Sequence, residues 1–218
     1  MGLVRRVAYG YGRWNRRRKA RFAIGFAERL GARSALLVGV SGARNPVNNL
    51  IEHELVSCLG EVVVSGITED AEGWNPFVVA DGRSLPFRDN AFDLVYANAV
   101  IEHVGGSADQ KKFVDELARV GRSWIITTPN RWFPIEAHHH TLFSHWLPGW
   151  APRGTVTRLL GVHGFGRLLP YGRVRGIPLV SPTLTAYGVD SRPGAATSHR
   201  GTAGSDRIYV DLPPSCDA

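Results

Sequence analysis

The chain has 218 residues, 44% hydrophobic and 21% charged, which suits one α/β domain with a buried core and excludes a wholly disordered chain. Two cysteines, Cys58 and Cys216, exclude a disulfide framework, and no apolar run approaches the ~18 residues of a membrane span. The formal charge of +7 is concentrated: residues 1–22 hold eight basic side chains (Arg5, Arg6, Arg13, Arg16, Arg17, Arg18, Lys19, Arg21) and no acid, and removing those eight from 26 leaves 18 basic residues against 19 acidic.

Residues 12–30 read as a basic helix, with Trp14, Ala20, Phe22, Phe26 and Leu30 on one stripe and Gly31 as its C-cap. Such a helix either packs its stripe on the domain and solvates its arginines, or docks on an anionic membrane or a phosphorylated substrate. Basic groups and exposed aromatics are not interleaved in an RNA-binding pattern, so nucleic acid is not the expected partner. No signal-peptide stretch follows the N-terminal charge, which makes the cytoplasm the expected compartment, with peripheral membrane contact through residues 1–22 as the alternative to a purely packed helix.

From Ser34 onward, short apolar runs alternate with helical stretches. Strands are predicted at Ala35–Val40, Glu61–Gly66, Phe77–Ala80, Phe92–Ala97 and Ser123–Thr128, with helices at Asn48–Leu59 and Asp109–Val120 between them. This alternation implies a doubly wound, mostly parallel sheet with helices on both faces, a Rossmann-like α/β fold. In such sheets ligands bind beyond the carboxyl ends of the strands, so useful residues follow each strand. Past Trp150 the pattern fades: residues 151–218 contain no Lys and no Glu and are punctuated by proline. The division expected is a basic helical segment over 1–33, a core over 34–150, and a loop-rich cap or tail over 151–218, with Ile208–Leu212 as one last short strand.

The segment Val79–Val104, VADGRSLPFRDNAFDLVYANAVIEHV, has an acid after the third strand, a Leu-Pro-Phe turn, Phe-Asp before an apolar fourth strand, and Glu-His ending the next loop. In order and spacing it resembles the central signature of the class I (Rossmann-like) S-adenosylmethionine-dependent methyltransferases, in their small-molecule, type 11-like branch. Thr127–Pro148, TTPNRWFPIEAHHHTLFSHWLP, is similar to one part of the same family, so the resemblance covers roughly residues 34–148. The resemblance implies S-adenosyl-L-methionine as cofactor and methyl transfer to an oxygen or nitrogen of a small or lipid-linked acceptor.

The resemblance also implies roles. Asp81 would accept from the adenine amino group, a backbone N–H of Gly82 or Arg83 would meet a ring nitrogen, and Leu85 and Phe87 would wall the base. Asn98 leaves the fourth strand beside the methionine half of the cofactor. Glu102 and His103 follow near the transferable methyl, where His103 has the intrinsic pKa of a general base and the pair can equally clamp the loop. Phe92 is expected in the core, and Phe92 and Asp93 to orient the strand. Glu136, His138 and His145 would rim the acceptor pocket. Consecutive histidines at 138–140 cannot converge on one ion and no paired acid or cysteine lies at ligand spacing, so no metal is expected.

The first loop departs from the family pattern of an acid followed by a glycine-rich turn: Gly39, Ser41 and Gly42 form the turn, with Leu37 where the acid stands and Ala43 where the last glycine stands. Gly66 holds the place of the ribose-binding acid after the second strand, leaving Glu69 or Asp70 to reach in. These departures support a second reading, a catalytically degenerate binding or regulatory protein on the same fold. A nicotinamide-dependent oxidoreductase is a third, without a Gly-x-Gly-x-x-Gly fingerprint. The sequence sets neither the acceptor nor the oligomeric state.

Overall fold

A computed structural model describes residues 3–40, 42, 49–68, 73–134, 146 and 158–189. The chain begins with a long helix, α1 (Leu3–Leu30), followed by β1 (Ser34–Val38), α2 (Leu50–Cys58), β2 (Glu61–Gly66), β3 (Phe77–Val79) and β4 (Phe92–Asn98). A 3-10 turn at Ile101–His103 leads to α3 (Ser107–Val120) and β5 (Gly121–Pro129). Then come α4 (Val162–Leu168), β6 (Arg173–Arg175) and β7 (Thr183–Val189).

The strands form one seven-stranded sheet in the order β3-β2-β1-β4-β5-β7-β6. The first five run parallel, while β7 runs antiparallel to both β5 and β6. The order reverses direction between β1 and β4, and that switch point is where an open α/β sheet leaves a crevice at its carboxyl edge.

Both faces are covered, and the strand sequences show why. β1 is apolar at successive positions, so Leu36 and Val38 enter the core on one face while Ala35 and Leu37 enter it on the other. On the first face α3 inserts Phe113, Val114 and Leu117, with α4 adding Phe165 and Leu168 over the fully buried Trp124. Each such side chain contributes roughly 1.5–3 kcal/mol by leaving water. On the other face α1 and α2 cover Leu94, Tyr96 and Ile125. Asp93 joins β4 to the start of β1, accepting from Arg33 N, Ser34 N and Ser34 Oγ at 3.0–3.2 Å, the orienting role expected of it, and Phe92 is buried as expected.

Two features differ from the sequence expectation. The N-terminal helix starts at Leu3 rather than residue 12, and its buried face is Ala20, Ala23, Phe26 and Ala27, with Trp14 and Leu30 exposed. Small residues let the helix approach the sheet closely, and Phe22 and Phe26 then meet the Tyr187 ring edge-on at 5.4 and 5.6 Å. In the segment expected to be loop-rich, residues 158–189 supply α4 and two strands that extend the sheet beyond β5. In β7, Leu184 and Ala186 are buried while Thr183, Thr185 and Tyr187 turn to the α1 side, a period-2 pattern hidden by its polar residues. The suggested strand at Ile208–Leu212 lies outside the described residues.

Candidate functional site at the carboxyl edge of the sheet

Parallel pairing brings the exits of β1, β2, β3, β4 and β5 to one edge of the sheet. Asp81 follows β3, and Asn98 ends β4 opposite Thr127 of β5. Beyond Asn98 the chain turns through Ala99, whose φ of 56° is left-handed, and enters the 3-10 turn that carries Glu102 and His103. A non-glycine residue held there stores strain, which is characteristic of functional turns.

The deepest part of the edge is a polar cluster that links three elements. Lys19 Nζ of α1 donates to Asn98 Oδ1 at 2.7 Å, and Thr127 Oγ1 donates to the same oxygen at 2.8 Å. Asn98 Nδ2 donates to Glu52 Oε1 of α2 at 3.2 Å. Burial brings the Lys19 ammonium down to about 8, against the opposing pull of Glu52 and Glu102. Burial likewise pushes the Glu52 carboxyl upward, resisted by hydrogen bonds from its own backbone N–H and from Asn98 and by the Lys19 charge. The Tyr96 hydroxyl, beneath them, is raised by burial and by the Glu52 charge. Lys19 and Glu52 carry no local signature; only the packing of α1 and α2 on one sheet face reveals them.

Glu102 is fully buried and accepts from Thr128 Oγ1 at 2.9 Å, whereas His103 beside it is exposed. The backbone of this turn is tied to the returning chain: Arg158 N donates to Glu102 O at 2.7 Å, and Gln110 Nε2 donates to Ile101 O and Arg158 O. The two residues predicted as a pair therefore diverge, one inward and one to solvent.

At the β3 exit, Asp81 takes the Arg83 guanidinium on both oxygens, with Nη2 to Oδ2 at 2.6 Å, and Arg83 also reaches Asp109 at 3.1 Å. The Arg83 hydrogen bonds hold the Asp81 carboxyl below its ordinary range despite some burial. Gly82 is buried against Phe113, where a Cβ would come within 2.5 Å of the ring. Leu85 and Phe87 turn toward the core under α3 rather than along a free wall, with Phe87 edge-on to Phe92 at 5.0 Å. Glu116 and Arg119, which the sequence reading did not single out, hold this turn: Leu85 N donates to Glu116 Oε1, and Arg119 donates to Leu85 O, Phe87 O and Asp89.

The two glycine positions of the first loops have different causes. Gly39 has φ 77°, and a Cβ there would meet Val100 at 2.5 Å, so the β1 exit packs directly on the β4 exit. Gly66 faces the Val40 carbonyl oxygen, with which a Cβ would collide. That approach is fixed by Gly39 N and Val40 N, both donating to Ser65 O. An acid at position 66 is therefore excluded by backbone, not merely replaced. Gly42 is open, with φ 74°, while Ser41, Glu69, Asp70, Glu136, His138 and His145 lie outside the described residues.

The sheet order, with five parallel strands and an antiparallel β7, defines a Rossmann-like α/β domain. Residues 59–123 match the family described as "Methyltransferase domain". Among solved structures it is similar to a putative methyltransferase (BH2331) from Bacillus halodurans C-125, at 18% identity, TM-score 0.36, over 44% of this chain and 45% of that one. It is also similar to the YcgJ protein of Bacillus subtilis, at 16% identity, TM-score 0.41, over 52% and 51%. A third is a SAM-dependent methyltransferase from Aquifex aeolicus, at 16% identity, TM-score 0.45, over 71% and 80%. The chain spans about half the length of the two Bacillus proteins.

Proposed function

We propose that this protein is an S-adenosylmethionine-dependent methyltransferase acting on an oxygen or nitrogen of a small or lipid-linked acceptor. The observation that carries the reading is that Asp81, Asn98, Glu102 and His103, all within the signature segment, emerge at one carboxyl edge of the sheet. Among the described residues the donor set fits two ends of the cofactor. Asp81 is partly exposed and acidic, suited to an adenine amino group, and Gly82 and Arg83 offer adjacent backbone. Asn98, with Lys19 and Glu52 around it, presents both charge signs to an amino-acid moiety. Gly39, Ser41 and Gly42 would run beside it, while Gly66, the last residue of β2, has no carboxylate to offer a ribose.

When bound, the cofactor supplies a methyl group already activated by its sulfonium. The chain then has to align a nucleophile and remove its proton. His103 would take that proton, being exposed on the turn that Glu102 anchors. Glu136, His138 and His145 would rim the acceptor pocket. We place the protein in the cytoplasm, with residues 1–22 contacting anionic membrane. Among the described residues no helix is long and apolar enough to cross a membrane.

One second reading has a specific observation behind it, a catalytically degenerate binding or regulatory protein. The backbone excludes an acid at position 66, and Asp81 is engaged by Arg83 on both oxygens. Calorimetric titration with S-adenosylmethionine and S-adenosylhomocysteine, with NAD as control, separates the two. Binding of the first two that is weakened in Asp81→Ala supports the enzyme. Absence of binding by folded protein leaves the degenerate reading.

A further inference from the structure

The loop between β6 and β7 exposes three large apolar side chains within four residues. Ile177, Leu179 and Val180 are 61%, 56% and 65% exposed. This is not a slack segment. Asn130 Nδ2 donates to Ser181 O at 2.8 Å, Ile177 N donates to Ser181 Oγ at 2.9 Å, and Val180 N and Ser181 N both donate to Ile177 O. Leu179 is held at φ 66°, a conformation that favours glycine, while its side chain points to water. The loop is thus built to present these three residues.

The segment that carries the loop is basic. Residues 158–189 contain Arg158, Arg167, Arg173 and Arg175 and no acid. Asn15 of α1 donates to Thr183 Oγ1 at the start of β7, and the Arg175 guanidinium lies 4.9 Å from the centre of the Phe22 ring. Those contacts join the loop to the acid-free basic part of α1, where Arg13, Arg17, Arg18 and Trp14 are exposed. Because β6 and β7 meet at the carboxyl edge, this is also the edge at which Asp81 and Asn98 emerge. Trp132 and Trp146, exposed just beyond β5 with rings 6.4 Å apart, are of the amphipathic type that suits a lipid–water interface.

We propose that Ile177, Leu179 and Val180 insert into an anionic lipid surface while the arginines of α1 contact its headgroups, seating the ligand-binding edge on the membrane. Reversible membrane binding needs two signals, an apolar one and a polybasic one, and this edge carries both. The inference rests on the membrane contact proposed for residues 1–22 and adds the apolar element to it. It does not depend on methyl transfer.

Sedimentation of the full chain with vesicles tests it, using phosphatidylcholine alone or mixed with phosphatidylglycerol, at low and high salt. The expected result is salt-sensitive binding to the mixed vesicles only. It should weaken about tenfold in Leu179→Ser/Val180→Ser and in Arg17→Glu/Arg18→Glu. All four positions are exposed, so each variant should keep the melting temperature of the parent. Undiminished binding of the loop variant, with loss in the arginine variant, overturns the insertion loop and leaves the basic helix as the sole contact. No binding by the unaltered chain overturns both, and equal binding to phosphatidylcholine alone overturns the anionic surface.

Discussion

Lys19 on α1 and Asn98 at the end of β4, 79 residues apart, meet at 2.7 Å, and their hydrogen bond fastens the N-terminal helix over the exit of the strand that carries the signature. The amide is gripped at both ends, by the ammonium of Lys19 on its oxygen and by Glu52 on its nitrogen. A cation and an acid thereby share a low-dielectric site through a neutral linker.

This arrangement has a pH signature. Lys19 titrates at about 8 in the folded protein against an ordinary 10.5. Between those values the unfolded chain binds more protons, so stability rises with pH across that window by at most about 1.4 kcal/mol per pH unit. Glu52 acts oppositely, since its raised value gives stability that is present at acid pH and lost as pH rises through its folded pKa. Urea unfolding between about pH 7 and pH 10 should show the parent gaining on Lys19→Met as pH rises. Parallel curves would mean that Lys19 is not perturbed.

Asp81→Ala should weaken S-adenosylmethionine binding by about 1–3 kcal/mol, the loss of one partner of a hydrogen bond. The Asp81–Arg83 pair is exposed, and such pairs contribute little, so the melting temperature should hardly move. Calorimetry and thermal unfolding on the same sample give both numbers. Unchanged affinity would remove Asp81 from the site.

Glu102 and His103 should separate cleanly. Glu102→Ala leaves Thr128 Oγ1 without its buried acceptor and should cost about 2–3 kcal/mol of stability in chemical denaturation. His103→Ala removes an exposed side chain, so the fold and cofactor affinity should persist while turnover falls ~10²–10⁴-fold. Full turnover in His103→Ala would end its candidacy as the base.

Gly66→Asp, which writes the missing acid back into the β2 exit, should not improve cofactor affinity. Its Cβ would collide with the Val40 carbonyl, and the resulting backbone shift should cost about 1–3 kcal/mol. Tighter binding with undiminished stability would show that the β1 exit yields readily.

Between Ser34 and Pro129 the alternation of strands and helices was legible because each element there announces itself locally. β1 is apolar from Ala35 to Val38, α3 places Phe113, Val114 and Leu117 at helical spacing, and the signature around Asp81 and Glu102 lies within one short stretch. The sequence by itself therefore determined the parallel core and the strand exits from which Asp81, Asn98 and Glu102 emerge. Other features were settled only by tertiary structure. β7 is polar on one face and follows the three-residue β6, so its place in the sheet depends on Gly188 lying against the Trp124 ring and on Tyr187 meeting Phe22 and Phe26 of α1. The collision that excludes a side chain at Gly66 arises between two loops, and the Lys19–Asn98–Glu52 cluster draws on α1, β4 and α2. Periodicity records what a residue's neighbours in the chain require. Such contacts at long separation arise when helices settle on a sheet, and they leave no local repeat to read.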